Sequence, residues 1–121
     1  MQVKNISKRL GKVASFVPQG AKILDVGSDH AYLPIYLMQQ RRIVSAIAGE
    51  VVDGPYQSAV ANVSDNELSD KISVRLANGL EAFDEKDQID VIIIAGMGGR
   101  LIADILANGS AKLASVKRLI L

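Results

Sequence analysis

Four short segments hold the residues able to do chemistry, and each follows a run of apolar residues. They are Gly27-Ser28-Asp29-His30, then Glu50, then Asn78-Gly79, and finally Gly96-Met97-Gly98-Gly99. Gly27 has no Cβ, so it allows a tight turn and a close approach to the backbone. A strand–glycine–helix junction leaves peptide N–H groups free, which makes it a nucleotide or anion site. Ser28 or Asp29 can cap the helix that follows, and an ordinary capped turn without ligand is the alternative. Glu50 lies 23 residues beyond Gly27. That is close to the ~20-residue spacing at which an acid accepts ribose hydroxyls in nucleotide-binding folds. Its two oxygens suit two donors; a surface acid at a strand end is the plainer reading. Asn78 both donates and accepts, as the edge of an adenine requires. Gly79 would leave room for the flat ring, although a plain turn has the same composition. The coincidence of the four segments carries more than any one of them.

The charge pattern chooses between two nucleotide cofactors. A nicotinamide dinucleotide is usually held by G-x-G-x-x-G, which brings backbone against the pyrophosphate. Here a single glycine, Gly27, is followed by Ser28, Asp29 and His30, and an acid beside a pyrophosphate repels it. S-adenosylmethionine has no phosphate and carries a sulfonium and an ammonium group, so Asp25 and Asp29 attract it. The pattern favours a methyltransferase over an NAD-dependent oxidoreductase. A nucleotide-binding module without catalysis is the third possibility.

The elements that must position these residues alternate. Residues 22–26 read as a buried strand, and Tyr32, Leu33, Ile35, Tyr36 and Leu37 as a helix with Pro34 in its first turn, where its missing N–H has no intrahelical partner. Ser45 to Glu50 reads as a second strand. Asp53-Gly54 reads as a turn that leads to Pro55 at the first position of a helix running through Val63. Lys71 to Leu76 alternates as a third strand, Ile89 to Ala95 is an apolar fourth, and Leu101 to Leu106 a helix ending at Asn108-Gly109. A last strand begins near Arg118. Such alternation predicts an α/β fold, a doubly wound and mostly parallel sheet, with ligands beyond the carboxyl ends of the strands. Ahead of it, residues 2–17 read as a basic amphipathic helix. Val3, Ile6, Leu10, Val13 and Val17 lie on one face, Lys4, Lys8, Arg9 and Lys12 lie off it, and no acid precedes Asp25. Such a helix can touch a phosphate backbone or simply pack, solvated, on the domain's edge.

Composition narrows the classes further. With 121 residues, 49% hydrophobic and 22% charged, the chain suits one globular domain. It has no cysteine and one histidine, so no disulfide framework, thiolate metal site or histidine-rich metal site is expected. No apolar run reaches the ~20 residues of a membrane span, and the start lacks the apolar core of a secretory signal. The expectation is a cytoplasmic protein without membrane or metal partners.

In order along the chain, Asp25-Val26-Gly27-Ser28-Asp29-His30-Ala31-Tyr32-Leu33-Pro34, Gly49-Glu50-Val51 with Gly54-Pro55, Asn78-Gly79-Leu80, and Ala95-Gly96-Met97-Gly98-Gly99 resemble the bacterial tRNA (adenine(22)-N1)-methyltransferases. The resemblance spans nearly the whole chain, and its first and last motifs together are more specific than a generic methyltransferase pattern. It implies a Rossmann-like domain transferring methyl from S-adenosylmethionine to N1 of an adenine in tRNA, with a smaller helical region after it. The implied cofactor-binding residues are Asp25, Gly27, Ser28, Glu50, Val51, Asn78, Gly79, Ala95 and Gly96. Asn78 stands where many members have Asp. Asp29 is the candidate electrostatic stabiliser or acceptor of the N6 proton, alongside its role as a cap. Met97 is the candidate to pack on the target base, which the neighbouring glycines would admit. His30 reads as structural and Tyr32 as a partly buried helix residue. Because a fifth strand is only starting where the sequence stops, the domain is expected to be truncated there. That strand is then expected to be short and poorly held, with Val91 to Ile94 near an open edge. Weak cofactor binding, no tRNA methylation by the chain alone, and self-association through that side are the expected consequences.

Overall fold

The computed structural model describes residues 7–121. Helix α1 spans Lys8–Ser15, strand β1 Ala21–Val26, helix α2 Tyr32–Gln39, strand β2 Ile43–Glu50 and helix α3 Asp53–Asp65. Strand β3 spans Ile72–Leu76, β4 Val91–Ile93, helix α4 Gly99–Asn108 and strand β5 Arg118–Ile120. The strands form one sheet in the order β3-β2-β1-β4-β5, and every pairing in it is parallel. Strand order reverses between β1 and β4, which opens a crevice at their carboxyl ends.

Alternation along the strands divides the core. Ile23, Ala46, Ala48, Ile72, Val91 and Ile93 face α1, α2 and α3, where they meet Leu33, Ile35, Leu37, Ala59 and Val63. Leu24, Val26, Ile47, Ile92 and Ile94 face the β3–β4 crossover and α4, represented by Leu80, Phe83 and Ile105. Central strands buried on both faces are apolar at nearly every position, as the run Val91 to Ile94 is.

Several boundaries differ from those the sequence predicts. Of the helix expected over 2–17, α1 covers Lys8–Ser15; positions 1–6, with Val3, Lys4 and Ile6, lie outside the described residues. Its start is capped by Ser7, whose Oγ accepts from the Leu10 N–H at 3.2 Å. Helix α3 begins at Asp53, so Pro55 is its third residue rather than its first; both places lie in the first turn, where a missing N–H is harmless. β4 is three residues long instead of seven, since only Val91–Ile93 pair on both sides. β5 is short, yet it covers β4 throughout that length, and Val91 to Ile94 are at most 1% exposed. They are core residues one strand in from β5, the last strand of the sheet.

The crossover between β3 and β4 holds two short 3-10 turns, Gly79–Ala82 and Glu85–Asp87. Arg75 clamps the second through paired hydrogen bonds to Asp87 at 2.8 and 3.0 Å. Lys112, beyond α4, donates to the carbonyls of Leu80 at 2.9 Å and Phe83 at 2.6 Å. Among the described residues no helix is long and apolar enough to cross a membrane, and no group of three or more acids or histidines is placed to hold a metal.

The seam between α4 and the crossover is tight at Gly109. A Cβ there would come within 2.6 Å of Leu80 Cβ, whereas one at Gly54 meets nothing within 4 Å. Gly109→Ala is therefore expected to lower unfolding free energy by about 1–3 kcal/mol, the usual cost of overpacking. Gly54→Ala, inside α3, is expected to raise it by up to about 1 kcal/mol. Urea denaturation of both variants checks the pair, and equal midpoints for the two would contradict the packing at Gly109.

Candidate functional site

The crevice begins with the turn off β1. Gly27 adopts φ +67°, and its N–H and that of Ser28 both donate to the Gly49 carbonyl, at 2.9 and 3.1 Å. This shared acceptor ties the end of β1 to the end of β2. Ser28 does not cap α2. Its hydroxyl turns back and donates to Asp25 Oδ2 at 3.0 Å. Asp29 does not cap it either: the cap position is Ala31, without a side-chain hydrogen bond.

The sequence gives little warning of what lies between. Asp29, His30 and Ala31 are all left-handed, at φ 49°, 63° and 60°. Each costs an L-residue roughly 1 kcal/mol or more, with Asp and His the more tolerant types. Asn62, from the middle of α3, donates its Nδ2 to the His30 carbonyl at 2.8 Å, and Ala31 is fully buried. These two anchors hold the run in place. The run projects Asp29 into solvent, its side chain 77% exposed, with His30 Nε2 3.3 Å from its Oδ1. Tyr32 stacks on His30 at 5.2 Å between ring centroids, and it is exposed where the sequence suggests partial burial.

Two acids behave differently. Asp25 and Glu50, at the ends of β1 and β2, are 4% and 5% exposed. Burial pushes the Asp25 carboxyl up to about 7, the Ser28 hydroxyl opposes this, and the Glu50 charge adds to it. Glu50 is also raised, first by burial; the backbone hydrogen bond from Asp29 opposes the rise, while the Asp29 charge adds to it. Glu50 Oε2 is buried without a hydrogen-bond partner. A buried carboxylate oxygen left unmatched is costly, so this atom marks a place for a donor.

The remaining candidates lie along the same edge. Val51 is 61% exposed beside Glu50. Asn78 is exposed and Gly79 buried. The space beside Gly79 is filled by Ile105, whose Cγ2 would stand 3.1 Å from an added Cβ. A cavity of about 90 Å³ lies next to this pair, lined also by Asn108, Gly109 and Lys112. That is room for a few waters, short of the ~300 Å³ of a small-ligand pocket, so any base meets Asn78 at the open edge. Ala95 and Gly96 follow β4, and Met97 reaches back across the crevice so that its Cε packs on Gly27, where a Cβ would collide with it. Most of the residues predicted from sequence thus border one edge, in the order Asn78, Glu50, Gly27, Gly96.

The family model described as tRNA (adenine(22)-N(1))-methyltransferase matches residues 23–121. The chain belongs to this family. A curated tRNA (adenine(22)-N(1))-methyltransferase from Bacillus subtilis is 50% identical over all 121 residues, which cover 50% of that protein. The Streptococcus pneumoniae Sp1610 structure, in complex with S-adenosyl-L-methionine, is 70% identical with TM-score 0.93, over 95% of this chain and 54% of that one. The M. capricolum family member, solved with S-adenosyl-homocysteine, is 39% identical with TM-score 0.81, over 85% and 46%. This member of the tRNA (adenine(22)-N(1))-methyltransferase family therefore spans about half the length of the relatives it matches. Its all-parallel sheet is the Rossmann-like fold that the resemblance implies.

The raised carboxyl gives a pH test. Unfolded Asp25 ionises near 3.8 and folded Asp25 near 7. Its contribution to stability is therefore fullest below 3.8 and is lost as pH rises through 7. Asp25→Asn keeps an acceptor for Ser28 and removes the ionisation. Relative to the parent, its unfolding free energy should be higher at pH 8 than at pH 5 by about 2–3 kcal/mol. A parent–variant gap that does not change with pH means that the carboxyl is not raised.

Proposed function

We propose that this chain carries the cofactor-binding and catalytic part of an S-adenosylmethionine-dependent methyltransferase acting on N1 of an adenine in tRNA. The single observation that carries the reading is Glu50 Oε2, buried and unpartnered at the end of β2. A ribose offers the hydroxyl donors that this carboxylate lacks, so the residues present fit the cofactor. Asn78 and Val51 border the same edge on the adenine side; Asp25, Gly27 and Ser28 form the floor, and Ala95 and Gly96 the far wall. The S. pneumoniae and M. capricolum relatives are described as bound to S-adenosyl-L-methionine and S-adenosyl-homocysteine, in keeping with this assignment. A tRNA substrate brings a cytoplasmic location with it.

When bound, S-adenosylmethionine supplies an activated methyl group on a cationic sulfur. The protein's task is then alignment and charge. Asp25 and Glu50 sit in low dielectric, where their ionised forms favour a cationic guest, and the turn off β1 lacks the G-x-G-x-x-G cradle that holds a pyrophosphate. Positioning the adenine N1 is the largest contribution asked of the fold, several kcal/mol in well-oriented reactions. Methylation at N1 leaves positive charge on the base, so a carboxylate facing it stabilises the transition state. Asp29 is that carboxylate: its side chain is exposed, and a strained loop holds it at the mouth. It offsets the charge or accepts the N6 proton. Met97, whose methyl group closes over Gly27, packs on the incoming base.

Two substitutions separate binding from chemistry. Glu50→Ala is expected to weaken S-adenosylmethionine binding by about 1.5–3 kcal/mol, the range for hydrogen bonds to a charged group. Calorimetric titration checks it, and unchanged affinity with an unchanged melting curve removes the ribose assignment. Asp29→Asn should fold normally, since its side chain is mostly exposed, and should bind cofactor nearly as the parent does. Methyl transfer to tRNA, measured with tritiated cofactor in a full-length version of the protein, should fall. Parent-level turnover would reduce Asp29 to a structural role.

A further inference from the structure

The first helix lies outside the βα alternation, yet one of its side chains reaches the catalytic edge. Gly96, just past β4, adopts φ +80°, and a Cβ at that position would stand 2.9 Å from Arg9 Nη2. The guanidinium thus rests where Gly96 has no side chain. Arg9 is exposed, and among the described residues neither the contact of Asp29 with His30 nor the ion pair of Arg75 with Asp87 includes it. The other arginines near α1 are committed: Arg42 donates to the Val17 carbonyl at 3.2 Å and Arg118 to the Phe16 carbonyl at 2.9 Å. Among the described residues Arg9 is thus left as an unpaired planar cation beside the loop proposed to receive the target base.

Its neighbours point the same way. Lys8 and Lys12 are exposed too, and at ~100° per residue the three cations fall within about 100° of arc. Leu10, Val13 and Ala14, on the opposite side of the helix, pack on the core, which fixes the rotation of α1 and turns the basic arc outward. No acid precedes Asp25 in the chain. Three adjacent cations suit a polyanion better than a single carboxylate, and a guanidinium suits phosphate through its paired donors.

We propose that the basic arc of α1 is a track for the RNA backbone, and that Arg9 holds a phosphate next to the target nucleotide over Gly96. This rests on the methyltransferase reading above and adds to it the surface by which substrate enters. Arg9 is then a positioning residue, because it fixes the strand and leaves the transfer to the groups at the crevice.

Binding of the chain to a tRNA transcript, followed by fluorescence anisotropy from 50 to 200 mM salt, tests this. Removing one cation that neutralises a phosphate lowers the slope of log affinity against log salt by about 0.7–0.9. Arg9→Gln should weaken RNA binding severalfold at 100 mM salt and lower the slope by about one. Arg9→Lys should keep the slope, and Lys8→Gln with Lys12→Gln should lower it further. S-adenosylmethionine affinity, titrated separately, should stay within twofold in all of them. An unchanged RNA slope in Arg9→Gln overturns the proposal, and so does the absence of salt-dependent tRNA binding by the parent chain. Loss of cofactor affinity with RNA binding intact also overturns it, by giving Arg9 to the cofactor's carboxylate. Failure of the parent to bind cofactor at all would instead strike the underlying methyltransferase reading.

Discussion

The hydrogen bond from Ser28 to Asp25 decides the shape of the site. Asp25 is buried in the centre of a parallel sheet, paired to Ala48 on one side and Ile93 on the other, where an acid without a donor would be costly. Ser28 supplies the donor at 3.0 Å, which turns its hydroxyl back toward β1 and away from the start of α2, whose cap position is Ala31. The chain then needs three more residues to reach α2, and the geometry available to them is left-handed. Asn62 and the burial of Ala31 hold that excursion in place. Asp29, His30 and Tyr32 are brought to the surface as a consequence. A buried acid on the strand thus sets where the exposed acid beyond it stands.

That chain of causes explains which features were legible in the sequence. Strands such as Val91–Ile93 and Ile72–Leu76 show themselves because local pattern and burial agree, and their order follows from right-handed crossovers. The four strand-end segments were legible because chemistry interrupts an apolar run abruptly there. The sequence suggests a cap at Ser28 or Asp29 because Ser and Asp after a glycine turn fit capping as well as they fit hydrogen bonding to a buried acid. Only the three-dimensional neighbour, Asp25, distinguishes the two. The role of Asn62 depends on a contact 32 residues away, and the clip from Lys112 to Leu80 spans as many. Local pattern has no access to such pairings. Helix α3 starts at Asp53, two residues before the start that the sequence suggests, within the usual fraying of such boundaries.

The two groups of acids divide along burial. Asp25 and Glu50 are held in the fold with raised affinity for protons. A cation bound against them restores the ionised form, so ligand binding and their proton uptake oppose each other. Asp29 stands in solvent with an imidazole beside it, where its charge costs the fold little. Between the two groups lies Gly27, the position where Met97 closes against the backbone. In the proposed reaction the buried pair serves the cofactor and the exposed acid serves the base, with the glycine as the gap across which they meet.

The parallel sheet supplies three walls of this arrangement but cannot supply a fourth. Every strand ends at the same edge, so the strand-end loops and helix starts crowd that edge. The groups rising from these strand ends are mainly acids, hydroxyls and glycines, with Arg100 in the first turn of α4 as an exposed cation, so a phosphate-bearing substrate gains from a further one. A segment ahead of β1 can provide one, because it is free to cross the sheet without a place in the βα alternation. Helix α1 does so with its apolar face seated on Leu33 and Ile35's side of the core and the carbonyls just beyond its end, at Phe16 and Val17, tied by Arg118 and Arg42. Arg118 belongs to β5 and Arg42 immediately precedes β2, so the orientation of α1 is set by both halves of the sheet. The position of Arg9 over Gly96 is therefore a property of the assembled fold, even though α1 contributes nothing to the sheet itself.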